Sequence, residues 1–279
     1  MIPKIQLARS GLKTSRLAFG TSRLHYLRQN ERQRLLAAAV EAGFVHFDTA
    51  PAYGDGLAER ELGQFLRGRS GLVIATKYGI PPNPLSDALP VLRMPILSAR
   101  AIGRRLGLIH GKLPPMTAAG LRHSVEQSLR RLEVDTIDVL FLHEPRRERL
   151  ANPEEVIAEA LKLRQRGMLK HLGLAGAWSG IGQLKCLSDE FQVVQTSEAE
   201  WPEQSPPDIS YGAIANGPQQ LFSGERIGMN AAIQRLNAAM RRRPHGAIIV
   251  STTKIDHLNA LAAASAAFRH YPKGSYSAA

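Results

Sequence analysis

Short apolar runs alternate with longer segments whose apolar side chains recur every three to four positions, almost from one end of the chain to the other. The first pattern is that of buried strands and the second that of amphipathic helices, and their alternation argues for a parallel sheet. Strands are expected at Leu17–Gly20, Phe44–Thr49, Gly71–Lys77, Ile137–His143, Lys170–Ala175, Phe191–Thr196 and Ala247–Ser251. Helices are expected at Glu31–Ala42, Ala58–Leu66, from a Thr117 cap through Leu132, from Asn152 to Gly167, at Gly180–Leu187, within Arg226–Arg243 and at Asp256–Phe268. Asn152-Pro153-Glu154-Glu155 reads as a helix start, with a cap, a proline at the first helical position and acids in the first turn. The opening LARSGLKTSRLAFG is rich in turn residues and suits a short hairpin running into the first strand.

Two stretches break the rhythm. Residues 80–116 form a long basic insertion rich in Pro and Gly, with Arg93, Arg100, Arg104, Arg105 and Lys112. A loop of that length inside a compact domain is usually a lid or a binding element. At 197–208, SEAEWPEQSPPD joins two strands without an evident helix, so one outer helix is expected to be missing or shortened. No internal repeat and no dividing linker is visible, which predicts one domain over residues 1–279 with a frayed tail at 270–279.

Composition narrows the setting. Hydrophobic residues make up 44% of the 279, enough for a buried core. No apolar run reaches the roughly 18 residues of a membrane span. The start, MIPKIQLARSG, lacks the apolar stretch of a secretory signal, and Cys186 is the single cysteine, which excludes an internal disulfide. A cytoplasmic protein is expected. The net charge of +12, from 36 Lys+Arg against 24 Asp+Glu, invites a nucleic-acid reading. The charges are scattered, however, with short clusters only at Arg146-Arg147-Glu148-Arg149 and Arg241-Arg242-Arg243, and aromatic residues are few. A solvated basic surface around an anionic cofactor accounts better for the charge, with no nucleic-acid or membrane partner expected.

Several motif routes close. No G-x-G-x-x-G follows a strand, so a Rossmann site has no support. Gly107–Lys112 is one residue short of a P-loop and is followed by Leu113 rather than Ser or Thr. No HExxH, paired CxxC or EF-hand spacing points to a metal.

What remains is a set of four residues at strand ends. Asp48 and Tyr53 lie in HFDTAPAYG, Lys77 in VIATKYG and His143 in DVLFLHEP. Each phrase is an apolar run ending in a group that handles protons, and several strands ending so suggest a parallel barrel with its chemistry at the C-terminal rim. Carbonyl reduction needs a proton donor at the oxygen where charge develops. Tyr53 can be that donor if an ammonium, Lys77, favours its phenolate. Asp48 can supply the counter-ion of Lys77, and His143 can orient the oxygen. Taken singly, each residue is as readily a turn cap, a loop aromatic, a solvated strand end or a ligand to backbone. Together at strand–loop junctions they argue for a site.

These phrases resemble the aldo-keto reductase family. LKTSRLAFGTSRL, FDTAPAYGDGLAERELG, VIATKYG, LRHSVEQSLRRLEVDTIDVLFLHEP and VVQ at 193–195 carry the resemblance, in order and over most of the chain. It implies a (β/α)8 TIM barrel that binds extended NADPH at its C-terminal rim and uses Asp48, Tyr53, Lys77 and His143 as a catalytic tetrad. By the same resemblance Gly20 and Thr21 pass beneath the nicotinamide, Gln195 holds its carboxamide and Tyr211 stacks on its ring. Ser251, Thr252, Thr253 and Lys254 resemble the pocket for the adenosine 2′-phosphate, hence NADP(H). The chain departs from the family's Gly-x-Ser-Asn by reading Gly173-Leu174-Ala175-Gly176, and from its final-helix Glu-Asn by Ala260 and Leu261.

The expected function is reduction of an aldehyde or ketone with NADPH, or the reverse reaction on a sugar. The substrate is a small carbonyl compound, walled by the 80–116 insertion and by His25 or Trp201. The alternative is a cofactor-binding sensor on the same barrel without turnover. The oligomeric state stays open, with a monomer favoured.

Overall fold

The computed structural model describes residues 1–89, 95–97, 113–150, 152–184, 188–214 and 227–268. Arg93, Arg100, Arg104, Arg105, Lys112, the 107–112 run, Cys186 and the tail at 270–279 lie outside the described residues.

Eight parallel strands close into a barrel. They are β3 (Leu17–Gly20), β4 (His46–Asp48), β5 (Val73–Tyr78), β6 (Ile137–His143), β7 (Leu169–Ala175), β8 (Phe191–Ser197), β9 (Ile209–Tyr211) and β10 (Ala247–Val250). The ring runs β10-β3-β4-β5-β6-β7-β8-β9 in that order, so chain neighbours are spatial neighbours and β10 seals the barrel against β3. Outside pack α1 (Gln29–Glu41), α2 (Leu57–Leu66), α4 (Ala118–Leu132), α5 (Pro153–Gln165), α6 (Trp178–Leu184), α7 (Met229–Arg242) and α8 (Ile255–Ala267). A short helix α3 (Pro84–Ala88) opens the insertion after β5. Among the described residues no helix is long and apolar enough to cross a membrane.

Strand side chains divide by parity, as the pleat requires. Leu17, Phe19, Phe47, Ile74, Leu140, Leu142, Leu172 and Val194 face outward into the large core under the helices. Ala18, Val73, Ala75, Val139, Phe141, Ala175, Val193, Ile209, Ala247 and Ile249 fill the inside of the barrel. Gly173 leaves room there, since a Cβ on it would lie 2.5 Å from the Phe141 ring.

The bottom of the barrel is closed by an antiparallel pair, β1 (Lys4–Gln6) with β2 (Lys13–Ser15). Leu7 and Leu12, in the turn between them, pack on the inner residues. Thr14 hydrogen-bonds the Nδ1 of His46 at 2.9 Å. His46 is fully buried, and burial pushes its imidazole down to about 4.

The link between β8 and β9, residues 198–208, contains no helix. Its place on the outer ring is held by arginines. Arg243 donates to the carbonyls of Pro207, at 3.1 Å, and Ala247. Arg242 reaches Glu198 at 3.1 Å and stacks on the Trp201 ring at 4.3 Å. Arg16 donates to carbonyls of Met240, Arg243 and Gly246. A cation that is almost always charged, with several donors in a fork, can satisfy backbone that a missing helix would have covered.

Element ends differ from the pattern where capping chemistry intervenes. The first helix starts at Gln29 rather than Glu31, because Glu31 reaches back to accept from the Arg28 amide at 2.8 Å. Thr117 does cap α4, accepting from the Gly120 amide at 3.1 Å. Asn152 does not cap α5 through its side chain, which instead donates to Glu155 at 3.1 Å, and that helix stops at Gln165. The helix expected to run from Gly180 is α6, beginning two residues earlier at Trp178.

His46 yields a pH prediction. Its folded pKa of about 4 lies below the ordinary 6.5, so between those values the unfolded chain binds the proton and the folded chain does not. The stability from this site is complete above pH 6.5 and is lost as pH falls toward 4, by roughly 3 kcal/mol at most. Urea titrations across that range are expected to show a shallower decline for His46→Gln, which keeps an acceptor for Thr14, than for wild type. Equal slopes would mean that His46 is not the group responsible.

Candidate active site

Four elements deliver side chains to one end of the barrel. Strand β4 ends on Asp48, buried and facing inward, with Gly20 and Ala75 as its register partners. In the loop after it the Tyr53 amide donates to the Ala50 carbonyl, and the chain then turns through Gly54, Asp55 and Gly56, all at positive φ. Lys77 stands on β5 two residues past Ala75, and His143 is the last residue of β6. The Tyr53 loop is pinned to the start of the insertion. Asp55 accepts from the Asn83 amide and the Ser86 hydroxyl, each at 3.0 Å. Buried Glu59 then ties Thr76, at 2.6 Å, to Arg131, at 2.7 Å.

The ammonium of Lys77 lies 2.6 Å from Asp48 Oδ1 and 2.9 Å from the Thr49 carbonyl. It sits 4.9 Å from the centre of the Tyr53 ring. The Tyr53 and His143 rings meet edge to face, 6.4 Å apart at 89°. The other Asp48 oxygen accepts from Gln195 Nε2 at 2.7 Å. The four residues picked out at strand ends therefore share one cluster, and Gln195 joins it from across the barrel.

The electrostatics follow from burial and this pairing. Burial works against the Lys77 ammonium, but Asp48 and Tyr53 outweigh it and hold its pKa above the ordinary lysine value. Burial pushes the Tyr53 phenol up, and Lys77 opposes that rise by charge and hydrogen bond. Burial, then the charges of Lys77 and Arg149, push His143 down to about 3. At neutral pH the set is an ammonium, a protonated phenol and a neutral imidazole. The imidazole's Nδ1 is buried without a hydrogen-bond partner among the described residues.

The remaining expected positions divide into two groups. Thr21 is fully buried and donates to the Asp48 carbonyl at 3.0 Å, so its hydroxyl braces the same strand end. Gly20 packs so closely on β10 that a Cβ would sit 2.2 Å from the Ser251 hydroxyl. Tyr211 ends β9, opposite Ser197 in the ladder, and keeps part of its ring accessible. Thr252 accepts from the Lys254 amide at 3.1 Å in the turn before α8, whose first residue follows Lys254. Ser251 and Lys254 are exposed there, beside a helix N-terminus without a side-chain cap. His25 lies along the Tyr53 loop, its Cβ 2.8 Å from where a side chain on Gly54 would begin. Trp201 is buried, with the Arg242 guanidinium of α7 over its ring.

Two participants are not evident from the pattern. Glu144 adopts φ 49, and a Cβ on Gly176 would lie 2.9 Å from the Glu144 carboxyl carbon. Glu144 thus occupies the side-chain space that Gly176 leaves open. Arg149 is buried while its neighbours Arg146, Arg147 and Glu148 are exposed. A basic cluster gives no sign of which member turns inward; the only hint is Leu150, the apolar residue that follows it.

A tyrosine, a lysine, an aspartate and a histidine on a barrel rim, with a helix N-terminus and a lysine nearby, define a class of fold and site. The model of the aldo/keto reductase family matches residues 16–196, and the chain belongs to that family. D-threo-aldose 1-dehydrogenase of Pseudomonas sp is 33% identical over 181 residues, covering 60% of this chain and 51% of that protein. L-galactose dehydrogenase of Arabidopsis thaliana is 26% identical over 182 residues, covering 61% of this chain and 47% of that one. The match thus spans about half the length of these curated relatives. Among solved structures, an aldo-keto reductase of Bacillus halodurans in its holo form superposes with TM-score 0.71 at 21% identity, over 95% of this chain and 91% of that one. An aldo-keto reductase of Klebsiella pneumoniae in complex with NADPH gives TM-score 0.69 at 20% identity, over 97% and 92%. At these identities the likeness is one of fold.

The Asp48–Lys77 pair makes a stability prediction independent of turnover. Removing one partner of a buried pair leaves an uncompensated charge, at a cost of about 3–5 kcal/mol. Asp48→Asn is expected to lower unfolding free energy by that order, and Asp48→Asn with Lys77→Met by less than the two changes summed. Denaturant titration of the three variants measures the coupling; strict additivity would contradict the pairing.

Proposed function

We propose that the protein is an NADPH-dependent reductase that converts an aldehyde or ketone to an alcohol, or oxidises a sugar in the reverse direction. The observation that carries this reading is the buried Lys77 ammonium, held between Asp48 and the Tyr53 ring with the His143 ring across from it. Bound NADPH supplies the hydride. As the carbonyl carbon accepts it, negative charge gathers on the oxygen, and Tyr53 donates its proton there. The phenolate left behind is stabilised by Lys77, which Asp48 keeps charged. The neutral His143 donates a hydrogen bond to the same oxygen and fixes the direction of approach.

The residues present suit the cofactor at two places. Tyr211 offers a ring face at the end of β9. Ser251, Thr252, Thr253 and Lys254 surround the α8 N-terminus, where backbone amides and the helix dipole favour a phosphate. Gly20 allows the close approach of β3 to β10 beneath. Gln195, which the resemblance assigns to the carboxamide, gives an amide proton to Asp48. That commitment, with Glu144 against Gly176, favours a second reading in which the barrel binds NADPH as a sensor and turns nothing over.

Fluorescence titration of NADPH and NADH, followed by turnover on an aldehyde panel, separates the two readings. The reductase reading expects micromolar NADPH binding and measurable turnover. Tyr53→Phe should then lower kcat by about 10²–10⁴-fold with cofactor affinity retained. Binding without turnover in the wild type would favour the sensor, and turnover unchanged in Tyr53→Phe would remove Tyr53 as the acid.

A further inference from the structure

Beyond the last ladder bond the carbonyls of β5 and β6 lose their sheet partners, and buried carbonyls must find donors. A single side chain supplies them. Arg149 Nη1 donates to His143 O at 3.0 Å and to Glu144 O at 2.7 Å. Its Nη2 donates to Gly79 O, and both Nε and Nη2 reach Pro114 O at 3.1 Å. These five hydrogen bonds all end on backbone. The Arg149 carbonyl in turn accepts from the Met116 amide at 2.7 Å. The guanidinium therefore joins the end of β5, two residues past Lys77, to the end of β6 and to the far end of the 80–116 insertion.

The two strand ends meet without slack. Gly79 has φ 130, and a Cβ there would lie 2.8 Å from the His143 carbonyl and 2.9 Å from the Met116 side chain. Glu144 turns through φ 49, which brings two successive carbonyls onto one guanidinium nitrogen. A lysine could offer three donors from one point, but not this fork.

We propose that Arg149 is a positioning residue, which fixes the His143 end of β6 against the Lys77 end of β5 and the base of the insertion. This rests on the reading of His143 as the group that orients the carbonyl. Arg149 also bears on the protonation state of His143, after burial and after Lys77. Among the described residues, the other titratable groups around that imidazole are Tyr53, whose ring it meets, Asp48 behind Lys77, and Glu144 next in the chain. Two cations, Lys77 and Arg149, disfavour a third on His143, so the imidazole stays neutral and keeps one N–H to donate.

The test is a double-mutant cycle on kcat in the full chain, with ring-resonance NMR of His143 assigned by His143→Gln. Arg149→Met is expected to lower kcat about 10- to 100-fold with KM little changed. In the His143→Gln background the same change should cost no more than about twofold, since its effect runs through His143. The His143 titration should move up in Arg149→Met and stay nearer the wild type in Arg149→Lys. Gly79→Ala presses on the same link from the other side, and should give the same kcat-selective, non-additive loss if Arg149→Met does not fold. Independent, multiplicative losses with an unmoved His143 titration would overturn the proposal. The titration needs no turnover, so a shifted His143 in a chain that reduces nothing would sink the reductase reading and leave the role of Arg149 standing.

Discussion

A buried ammonium is tolerated only beside a counter-charge, and in this barrel Asp48 provides it from the neighbouring strand. Much of the rim is arranged around that need. One Asp48 oxygen takes Lys77, and the other takes Gln195 of β8, a strand four places around an eight-strand ring. That bond crosses the barrel interior. It is possible because the residues beside Asp48 in the ladder are Gly20 and Ala75, which leave the centre open at this level. Thr21 holds the Asp48 carbonyl from β3. Lys77 of β5 and Gln195 of β8 thus converge on the Asp48 carboxylate, while Thr21, just past β3, holds its main-chain carbonyl.

From this pair the chemistry follows by proximity. Lys77 stays charged and lies under the Tyr53 ring, so a phenolate formed there meets a cation that is already in place. Burial alone would leave Tyr53 a reluctant donor, and Lys77 offsets part of that reluctance. Burial, with the same positive field added to it, keeps His143 neutral. In the proposed reaction one charge thus serves Tyr53 and His143 together, and Asp48 is what holds that charge in place.

The alternation of apolar runs with helical stretches made the barrel legible, along with the absence of a helix at 198–208, because each strand end coincides with a change of period. The four rim residues were legible for the same reason: polar side chains that end apolar runs have few other uses when four do so together. Arg149 was not, since burial of one arginine among Arg146, Arg147 and Arg149 depends on where the backbone turns after His143. Nor were the arginines that fill the place of the missing helix. Arg242 and Arg243 look like ordinary C-terminal charges of a helix, yet they turn onto Glu198 and Pro207. The Trp201 ring packs against the Arg242 guanidinium, a partner equally hidden in the pattern. Local pattern does not encode such partners, which are set by tertiary closure.

Arginine recurs at two places where, among the described residues, this barrel lacks regular backbone pairing. Arg16 and Arg243 do it on the outer wall beside 198–208, and Arg149 does it at the rim. In each case several carbonyls converge on one guanidinium, and burial lowers the pKa while leaving it high enough to hold the charge: Arg16 and Arg243 fall only to about 10. A hydrophobic filler would leave those carbonyls unsatisfied, at a cost of about 1–3 kcal/mol each. This gives part of the +12 excess a structural origin, with buried arginines standing in for secondary structure. At the rim the same device does more, because the carbonyls gathered by Arg149 belong to His143, to Glu144 and to the strand that bears Lys77. Structural satisfaction and alignment of the site are there one and the same set of hydrogen bonds.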